Sequence, residues 1–325
     1  MITASVIIPT YNYGQFINEA INSILCQDYP QDEIEIIVVD DGSNDNTEHT
    51  LKPFIESKQI QYFYQNNNGK ASATSFAINK CKGKYIFNLD ADDFFLENKI
   101  SESVRIFNSD ENIVHVSSPA NCVNDNYQST EVERIPQDIV MCATNGSDLL
   151  KMFYRNNILF GGGSTFAARA SVMKAVAIPA ECDMYIDEFL ILAVLPHGKS
   201  YFFERPLSIW RIHQLNYSGN NSDWSKQFKK AKRLLDSSSA ILAYLKVNSL
   251  DPEIINIYKL QHATRAVVFE GIYQHGGLKT ILRYAKTVFF EIKPNWLLLQ
   301  RYYVFNRFIP VPLYKALKKI QLVFF

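Results

Sequence analysis

The first third of the chain alternates between two apolar patterns. Ala4–Pro9 is a short apolar run that proline ends, and after it Phe16, Ala20, Ile21, Ile24 and Leu25 recur at helical spacing. Ile34–Val39 is a β-branched run broken only by Glu35, which predicts a strand buried on both faces. Asp41-Gly42-Ser43 ends that run, and Asp45 or Asn46 is positioned to cap a helix reaching about Glu56. Ile60–Tyr64 predicts a third strand, Ala71–Cys81 a helix and Lys84–Leu89 a fourth strand. Strict alternation of strand and helix predicts an α/β fold, a mostly parallel sheet with helices on both faces. Ligands of such sheets collect beyond the carboxyl ends of the strands.

The middle of the chain is less regular. Asn121–Asn145 is polar and is expected to loop around the domain edge. Gly161-Gly162-Gly163-Ser164 reads as a flexible turn, with the shaping of an acceptor pocket as the functional alternative. Asp187–Leu195 predicts a helix and Tyr201–Ile212 mainly extended chain. From about Asn221 the pattern changes to long helical periodicity without strand signals. The chain is therefore read as a body, residues 1–220, and a helical C-terminal region, residues 221–325.

Charge sharpens that division. The 33 basic and 33 acidic side chains balance overall, yet residues 221–325 carry a net +11 and residues 1–220 a net −11. An acidic body does not suit a nucleic-acid binder with one broad positive face; it suits a body that holds cations and a tail that meets something anionic. Residues 291–325 hold eight aromatic and six basic residues, with Glu291 the only acid. That composition predicts an interfacial helix on an anionic membrane, or else a helix pair packing on the body or on a second copy of the chain. With 47% hydrophobic residues, a disordered chain is excluded. Five scattered cysteines (Cys26, Cys81, Cys122, Cys142, Cys182) form no C-x-x-C pair and predict free thiols in a reducing compartment. Val6-Ile7-Ile8 is too short for a secretory core, and no run of about 18 residues is apolar enough to span a bilayer. The expectation is a cytoplasmic protein, or one peripheral at the cytosolic face of a membrane.

The candidate chemistry lies where strands are predicted to end. Asp40-Asp41-Gly42-Ser43 follows the second strand and Asp90-Ala91-Asp92-Asp93 the fourth, so both loops belong to one rim of a parallel sheet. Asp90 and Asp92, two positions apart, could together hold one hard divalent cation, Mg²⁺ or Mn²⁺, which prefers oxygen ligands. Acidic residues after strands also serve as turn formers, but five of them on one rim repel, and a cation or basic ligand would offset the repulsion.

Taken in order, Ser5-Val6-Ile7-Ile8-Pro9-Thr10-Tyr11-Asn12, Val38-Val39-Asp40-Asp41-Gly42-Ser43, Gly69-Lys70-Ala71-Ser72-Ala73 and Gly83-Lys84-Tyr85-Ile86 running into Leu89-Asp90-Ala91-Asp92-Asp93 resemble the opening of glycosyltransferase family 2. The resemblance is in register over roughly residues 3–105 and weaker over 145–218. It implies a GT-A fold, a nucleoside-diphosphate sugar donor, a divalent metal and inversion at the transferred sugar. By the same resemblance Pro9 and Tyr11 line the base pocket, and Asp41, with Asp40 beside it, accepts from the base edge. A carboxylate there suits the N3–H of uracil, hence a UDP-sugar. Lys70 approaches nucleotide or phosphate, Asp90 the ribose or the metal, Asp92 the metal between the phosphates, and Asp93 the donor sugar. Thr74 and Ser75 stand where one common family pattern has an Arg-Asn pair.

In Tyr185-Ile186-Asp187-Glu188-Phe189 an acidic pair opens an apolar helix. Family spacing, counted back from Gly198, matches Asp187 to the general base, with Glu188 as the alternative one place later. Trp210-Arg211-Ile212-His213 is similar to the family's Tyr-Arg-x-His, which implies that His213 meets the metal or the diphosphate and that Arg211 supports it. His49, His115, His197, His262 and His275 have no such company and are read as structural. The implied acceptor is a hydroxyl of a glycan or lipid-linked intermediate in cell-surface polysaccharide synthesis. A nucleotidyltransferase would also use Mg²⁺ and paired carboxylates, but Pro9–Gly14 is neutral and aromatic where a glycine- and basic-rich phosphate loop is needed. A catalytically inactive nucleotide-sugar-binding protein is the other alternative.

Overall fold

The computed structural model describes residues 1–213, 223–248, 250–274 and 278–287. The segment 291–325, and with it the expected interfacial helix, lies outside the described residues. The chain divides into two compact units, one of residues 1–150 and 159–220, the other of residues 151–158 and 221–325.

The first unit opens with β1 (Ala4–Thr10), α1 (Ile17–Leu25), β2 (Ile34–Asp40), α2 (Thr47–Glu56), β3 (Gln61–Tyr64), α3 (Lys70–Lys80) and β4 (Tyr85–Asn88). β1 and β2 are buried along their whole length, as a two-faced sheet demands. α1 turns Ile17, Ala20, Ile21 and Ile24 inward at helical spacing. Glu35, the one charge in the β2 run, is buried but satisfied: it accepts from Ser5 Oγ at 2.5 Å, Gln61 Nε2 at 2.9 Å and Gly83 N at 3.1 Å. Pro9 is tolerated in a central strand for a local reason. Ile7 O accepts from Leu89 N, so Pro9, two residues on, faces that same side after β4 has ended at Asn88. Asp45, not Asn46, supplies the cap of α2, accepting from Thr47 N at 3.0 Å.

There follow β5 (Phe94–Phe95), α4 (Lys99–Ser109), β6 (Ile113–Ser117), β7 (Ala120–Asn124), β8 (Ser129–Val132), β9 (Ala143–Asn145), α5 (Gly146–Asn156), β10 (Ala167–Arg169), α6 (Ala170–Met173), α7 (Ile186–Val194), β11 (Lys199–Phe202) and β12 (Ser208–Ile212). The large sheet has the order β3-β2-β1-β4-β10-β6-β11-β9. Its β1–β4 core is parallel; β10 runs antiparallel to β4 and β6, and β9 antiparallel to β11. A second sheet, β5-β12-β7-β8, lies beside it in sequence and carries Trp210 to Ile212.

This corrects the expectation for Asn121–Asn145. The segment contributes three short strands: β7 pairs with β12, β8 pairs with β7, and β9 pairs with β11. β8 is exposed at every position, so no apolar alternation marked it. Among the described residues β8 pairs only with the neighbouring β7, and β7 in turn pairs with β12, about ninety residues on, which local pattern cannot report.

In the second unit α8 (Trp224–Val247), α9 (Pro252–Tyr273) and α10 (Leu278–Lys286) are helical. Asp223 caps α8 by accepting from Ser225 N, and Asp251 caps α9 by accepting from Glu253 N, with Pro252 in its first turn. Ile241, Leu245, Ile254, Ile257 and Tyr258 form its buried core. Residues 151–158 join this unit through Lys151–Asp251 at 2.7 Å and Arg155–Glu253 at 2.6 Å. Among the described residues no helix is long and apolar enough to cross a membrane.

Candidate active site

Three loops at the carboxyl ends of β1, β2 and β4 form the rim of the site. The loop after β1 is stitched to the loop after β2: Asn12 N donates to Ser43 Oγ at 2.9 Å, and Asn44 N donates to Asn12 Oδ1 at 2.8 Å. Asn12 adopts φ 59°, a left-handed conformation that asparagine tolerates better than most residues. Pro9 is buried in β1, while Tyr11 is exposed on the rim. Asp40 accepts from Ser43 N at 2.8 Å and from Tyr62 Oη at 3.1 Å. Asp41 accepts from Gln65 Nε2 at 2.7 Å and from the backbone N–H groups of Asn68 and Gly69 at 2.8 Å each. Both carboxylates are buried, and Asp41 holds the turn that launches α3 and its first residue, Lys70.

The loop after β4 brings Asp90, Asp92 and Asp93 together, with one carboxylate oxygen of each lying within 4.8 Å of the others. Asp92 Oδ2 stands 3.1 Å from His213 Nε2. The His213 ring packs on Phe16, its centroid 4.3 Å away, with Tyr13 edge-on at 6.1 Å. Asp93 is anchored at both oxygens: Ser164 Oγ donates to Oδ2 at 2.5 Å and Arg211 N to Oδ1 at 2.9 Å. Burial, and then the neighbouring carboxylates, raise the proton affinity of Asp92 and hold that of Asp93 well above the usual carboxylate range. Three hard oxygen donors that repel one another at this spacing fit a divalent cation such as Mg²⁺ or Mn²⁺, which would relieve the repulsion. Asp93 is tied to the backbone of β12 and to Ser164, whereas Asp90 is held by the side chains of Lys70 and Asn88.

Lys70 links this cluster to α7. Its Nζ lies 2.9 Å from Asp90 Oδ2 and 3.4 and 3.5 Å from the two oxygens of Asp187, in the first turn of α7. Burial alone would lower the Lys70 ammonium's proton affinity, but the Asp187 and Asp90 charges overcome it and keep the group protonated. Asp187 is raised as well, for a different reason: burial raises it, Lys70 partly offsets that, and Asp90 adds to the rise. It is Asp187 that meets Lys70. Glu188 lies instead near Cys182, whose thiol is pushed up to about 12 by burial, with Glu181 and Glu188 adding to it.

The segment Gly161–Thr165 forms a buried wall beside these groups, a correction to the flexible turn expected from its glycines. Its carbonyls are tied from behind. His115 Nε2 lies 3.1 Å from Gly161 O, Ser208 Oγ donates to Ser164 O at 2.8 Å, and Lys99 Nζ donates to Thr165 O at 2.6 Å. A Cβ on Gly161, at φ 91°, would stand 2.8 Å from His115 Cε1, and one on Gly162 would stand 3.1 Å from Asp187 Cβ. At the front, Ser164 Oγ accepts from Asp90 N at 3.1 Å while donating to Asp93. One hydroxyl thus clamps both ends of the Asp90–Asp93 turn.

Arg211 lies in β12, two positions before His213. Its guanidinium forms an ion pair with Glu19 and lies within 3.5 Å of Tyr127 Oη. The rings of Phe16, Tyr127 and Phe94 surround it at 5.0, 5.2 and 5.6 Å. Its contribution to the cluster is the backbone N–H that holds Asp93. Sequence reasoning missed Tyr13 and Lys99, and it named Ser164 only as part of the glycine segment; His115, read as structural, holds the Gly161 carbonyl. Tyr13 had a signal, since it shares the loop of Tyr11; its phenol is raised by burial and by the Asp92 and Asp90 charges. Ser164 had none beyond adjoining a glycine run.

A mostly parallel sheet with its carboxylates gathered past β2 and β4, extended by antiparallel strands and flanked by helices, is the architecture of the GT-A class of fold. Residues 5–176 match the family model described as Glycosyl transferase family 2. With more than half of its length matched, the chain belongs to glycosyltransferase family 2. An uncharacterized glycosyltransferase of Rickettsia conorii is 44% identical over 108 residues, which take in 33% of this chain and 18% of that protein. Another, from Nostoc sp., is 28% identical over 221 residues, 65% of each chain. The chain thus spans less than two thirds of the length of these relatives, and of the Rickettsia protein only 18%. Among solved structures, S. aureus TarS in complex with UDP-GlcNAc superposes with a TM-score of 0.63 at 17% identity, over 88% of this chain and 80% of that one. The mannosyltransferase PcManGT from Pyrobaculum calidifontis, in complex with GDP-Man and Mn²⁺, gives 0.53 at 18% identity, over 87% and 78%. At these identities the likeness is one of fold.

Proposed function

We propose that this chain is an inverting, metal-dependent glycosyltransferase. It moves a sugar from a nucleoside-diphosphate sugar, a UDP-sugar in the first instance, to a hydroxyl of a glycan or lipid-linked acceptor in cell-surface polysaccharide synthesis. The observation that carries this reading is the meeting at Lys70 of Asp90, from the end of β4, and Asp187, from the start of α7. It brings a cation-holding cluster and a candidate base to one place. The donor class is supported by the ligands of the two structural relatives, UDP-GlcNAc in one and GDP-Man in the other.

Asp90 and Asp92 would hold Mg²⁺ or Mn²⁺, with His213 against Asp92. Bound there, the cation supplies neutralisation of charge on the departing diphosphate. Asp187 takes the proton of the acceptor hydroxyl, whose oxygen forms the bond to the anomeric carbon. The bond from that carbon to the diphosphate oxygen breaks, and the nucleoside diphosphate leaves with the electron pair. A single displacement of this kind inverts the anomeric centre. The raised proton affinity of Asp187 suits the task, because a base matched to working pH both starts unprotonated and holds the proton it takes. Lys70, kept charged between Asp90 and Asp187, is placed to favour the anionic donor.

The test is the identity of the released product on incubation with a panel of nucleotide sugars, Mn²⁺ and candidate acceptors. Nucleoside diphosphate supports transfer; none from the nucleotide sugars, but pyrophosphate from a parallel incubation with nucleoside triphosphate and sugar 1-phosphate, would mean a nucleotidyltransferase, and neither product an inactive binding protein. Full turnover in excess EDTA would overturn the metal role. The proposal extends to residues 291–325 as a peripheral anchor on anionic lipid, checked by liposome co-sedimentation of the whole chain against a form ending near residue 290.

A further inference from the structure

The wall formed by Gly161–Thr165 is bare next to the base. Around the point where a Cβ on Gly163 would stand, two atoms of the described residues lie within 4 Å, apart from the glycine and its chain neighbours. They are Asp187 Oδ2 and Trp210 Cζ2, each at 3.9 Å. A carboxylate and the six-membered edge of an indole therefore both border the space over a glycine that carries no side chain. The placement of Trp210 follows from β12. Ser208 and Trp210 share the face turned to the wall, as the bond from Ser208 Oγ to Ser164 O shows, and Arg211 occupies the other face with Glu19. Gly163 sits at φ 53°, in the left-handed region, so the turn itself favours the residue that leaves the slot open. Trp210 is half-buried, which leaves part of the indole accessible.

A pyranose ring matches this pair of walls. One face of the ring is a patch of C–H groups, which an indole covers well, and its rim is a set of hydroxyls, which a carboxylate accepts from. An acyclic polyol or a simple alcohol offers the hydroxyl without the flat apolar face. We propose that the slot over Gly163 is the acceptor site and that its occupant is a sugar ring, C–H face on Trp210 and attacking hydroxyl on Asp187. The proposal rests on the reading of Asp187 as the base, and it narrows the acceptor from any hydroxyl to a pyranoside.

The experiment uses the full chain with UDP and Mg²⁺ bound, and saturation-transfer NMR with three probes, the methyl β-glycosides of glucose, galactose and N-acetylglucosamine. Ribitol is the acyclic comparison. The expected result is saturation of the axial ring protons of at least one glycoside, well above ribitol. That signal should fall about tenfold in Trp210→Ala and be largely kept in Trp210→Phe. UDP affinity by calorimetry should be unchanged in both variants, which also reports that they are folded. Ribitol saturated as strongly as the glycosides, no signal from any glycoside, or an unchanged signal in Trp210→Ala would overturn the proposal. Asp187→Asn separates the two readings. If it binds the glycoside yet remains fully active, the base assignment fails while the sugar slot stands.

Discussion

Acidification should weaken the protein through His115, and the size of the effect can be worked from its surroundings. The imidazole is fully buried, with Nδ1 2.7 Å from Ser200 Oγ and Nε2 3.1 Å from Gly161 O. A carbonyl only accepts, so Nε2 carries the hydrogen and Nδ1 accepts from the serine: the ring is neutral. Burial pushes its pKa down to about 4; the Gly161 bond opposes the shift and the Lys99 charge adds to it. The unfolded chain, with an ordinary histidine near 6.5, therefore takes up the proton first as pH falls. The stability His115 contributes is complete above that value and is lost progressively as the pH drops toward about 4. At about 1.4 kcal/mol per pKa unit the whole loss is about 3 kcal/mol, of which about 2 falls between pH 7 and pH 5. Lys99, pushed down to about 7 by burial, is charged in both states below that pH and adds little there. Asp92, Asp93 and Asp187, all raised, have the opposite sign and gain stability as pH falls. The assay must therefore be differential: urea unfolding of the native chain and of His115→Gln, each at pH 7 and pH 5. The native chain should lose about 2 kcal/mol more than the variant on acidification. Equal losses would refute the reasoning.

Asp187→Asn keeps the shape of the side chain but cannot take a proton, so turnover should slow by about 10²–10⁴ with donor binding nearly unchanged, while Glu188→Gln stays close to the native rate in the same assay. Ser164→Ala removes the hydroxyl that holds Asp90 N and Asp93 Oδ2, and Mn²⁺ affinity measured by electron paramagnetic resonance should fall about 10- to 100-fold without loss of fold. Glu19→Gln and Arg211→Lys should be non-additive in thermal unfolding, coupled by about 1 kcal/mol given that Glu19 is partly exposed, and neither should alter UDP affinity by direct contact. A loss of UDP affinity confined to the Arg211 variant would return its guanidinium to the donor.

The sequence by itself determined the β1–β4 half of the fold, because there the buried strands are β-branched runs and the helices are amphipathic at regular spacing. It also determined that Asp40, Asp41, Asp90, Asp92 and Asp93 belong to one rim, since strand ends in a parallel sheet lie together by construction. Tertiary structure alone decided the rest. β7 is a strand because β12 offers it hydrogen-bonding partners, and β8 because β7 does, not because their side chains alternate. Arg211 meets Glu19, 192 positions away along the chain, because of how β12 docks beside α1, which strand spacing cannot report. Gly161–Ser164 looked flexible because glycine is permissive in isolation. It is a buried wall because His115 and Ser208 hold two of its carbonyls, and Lys99 that of the adjoining Thr165, from positions distant along the chain. A backbone group's partner is local in a helix but anywhere in the chain in a buried turn, and the latter is information that spacing does not carry.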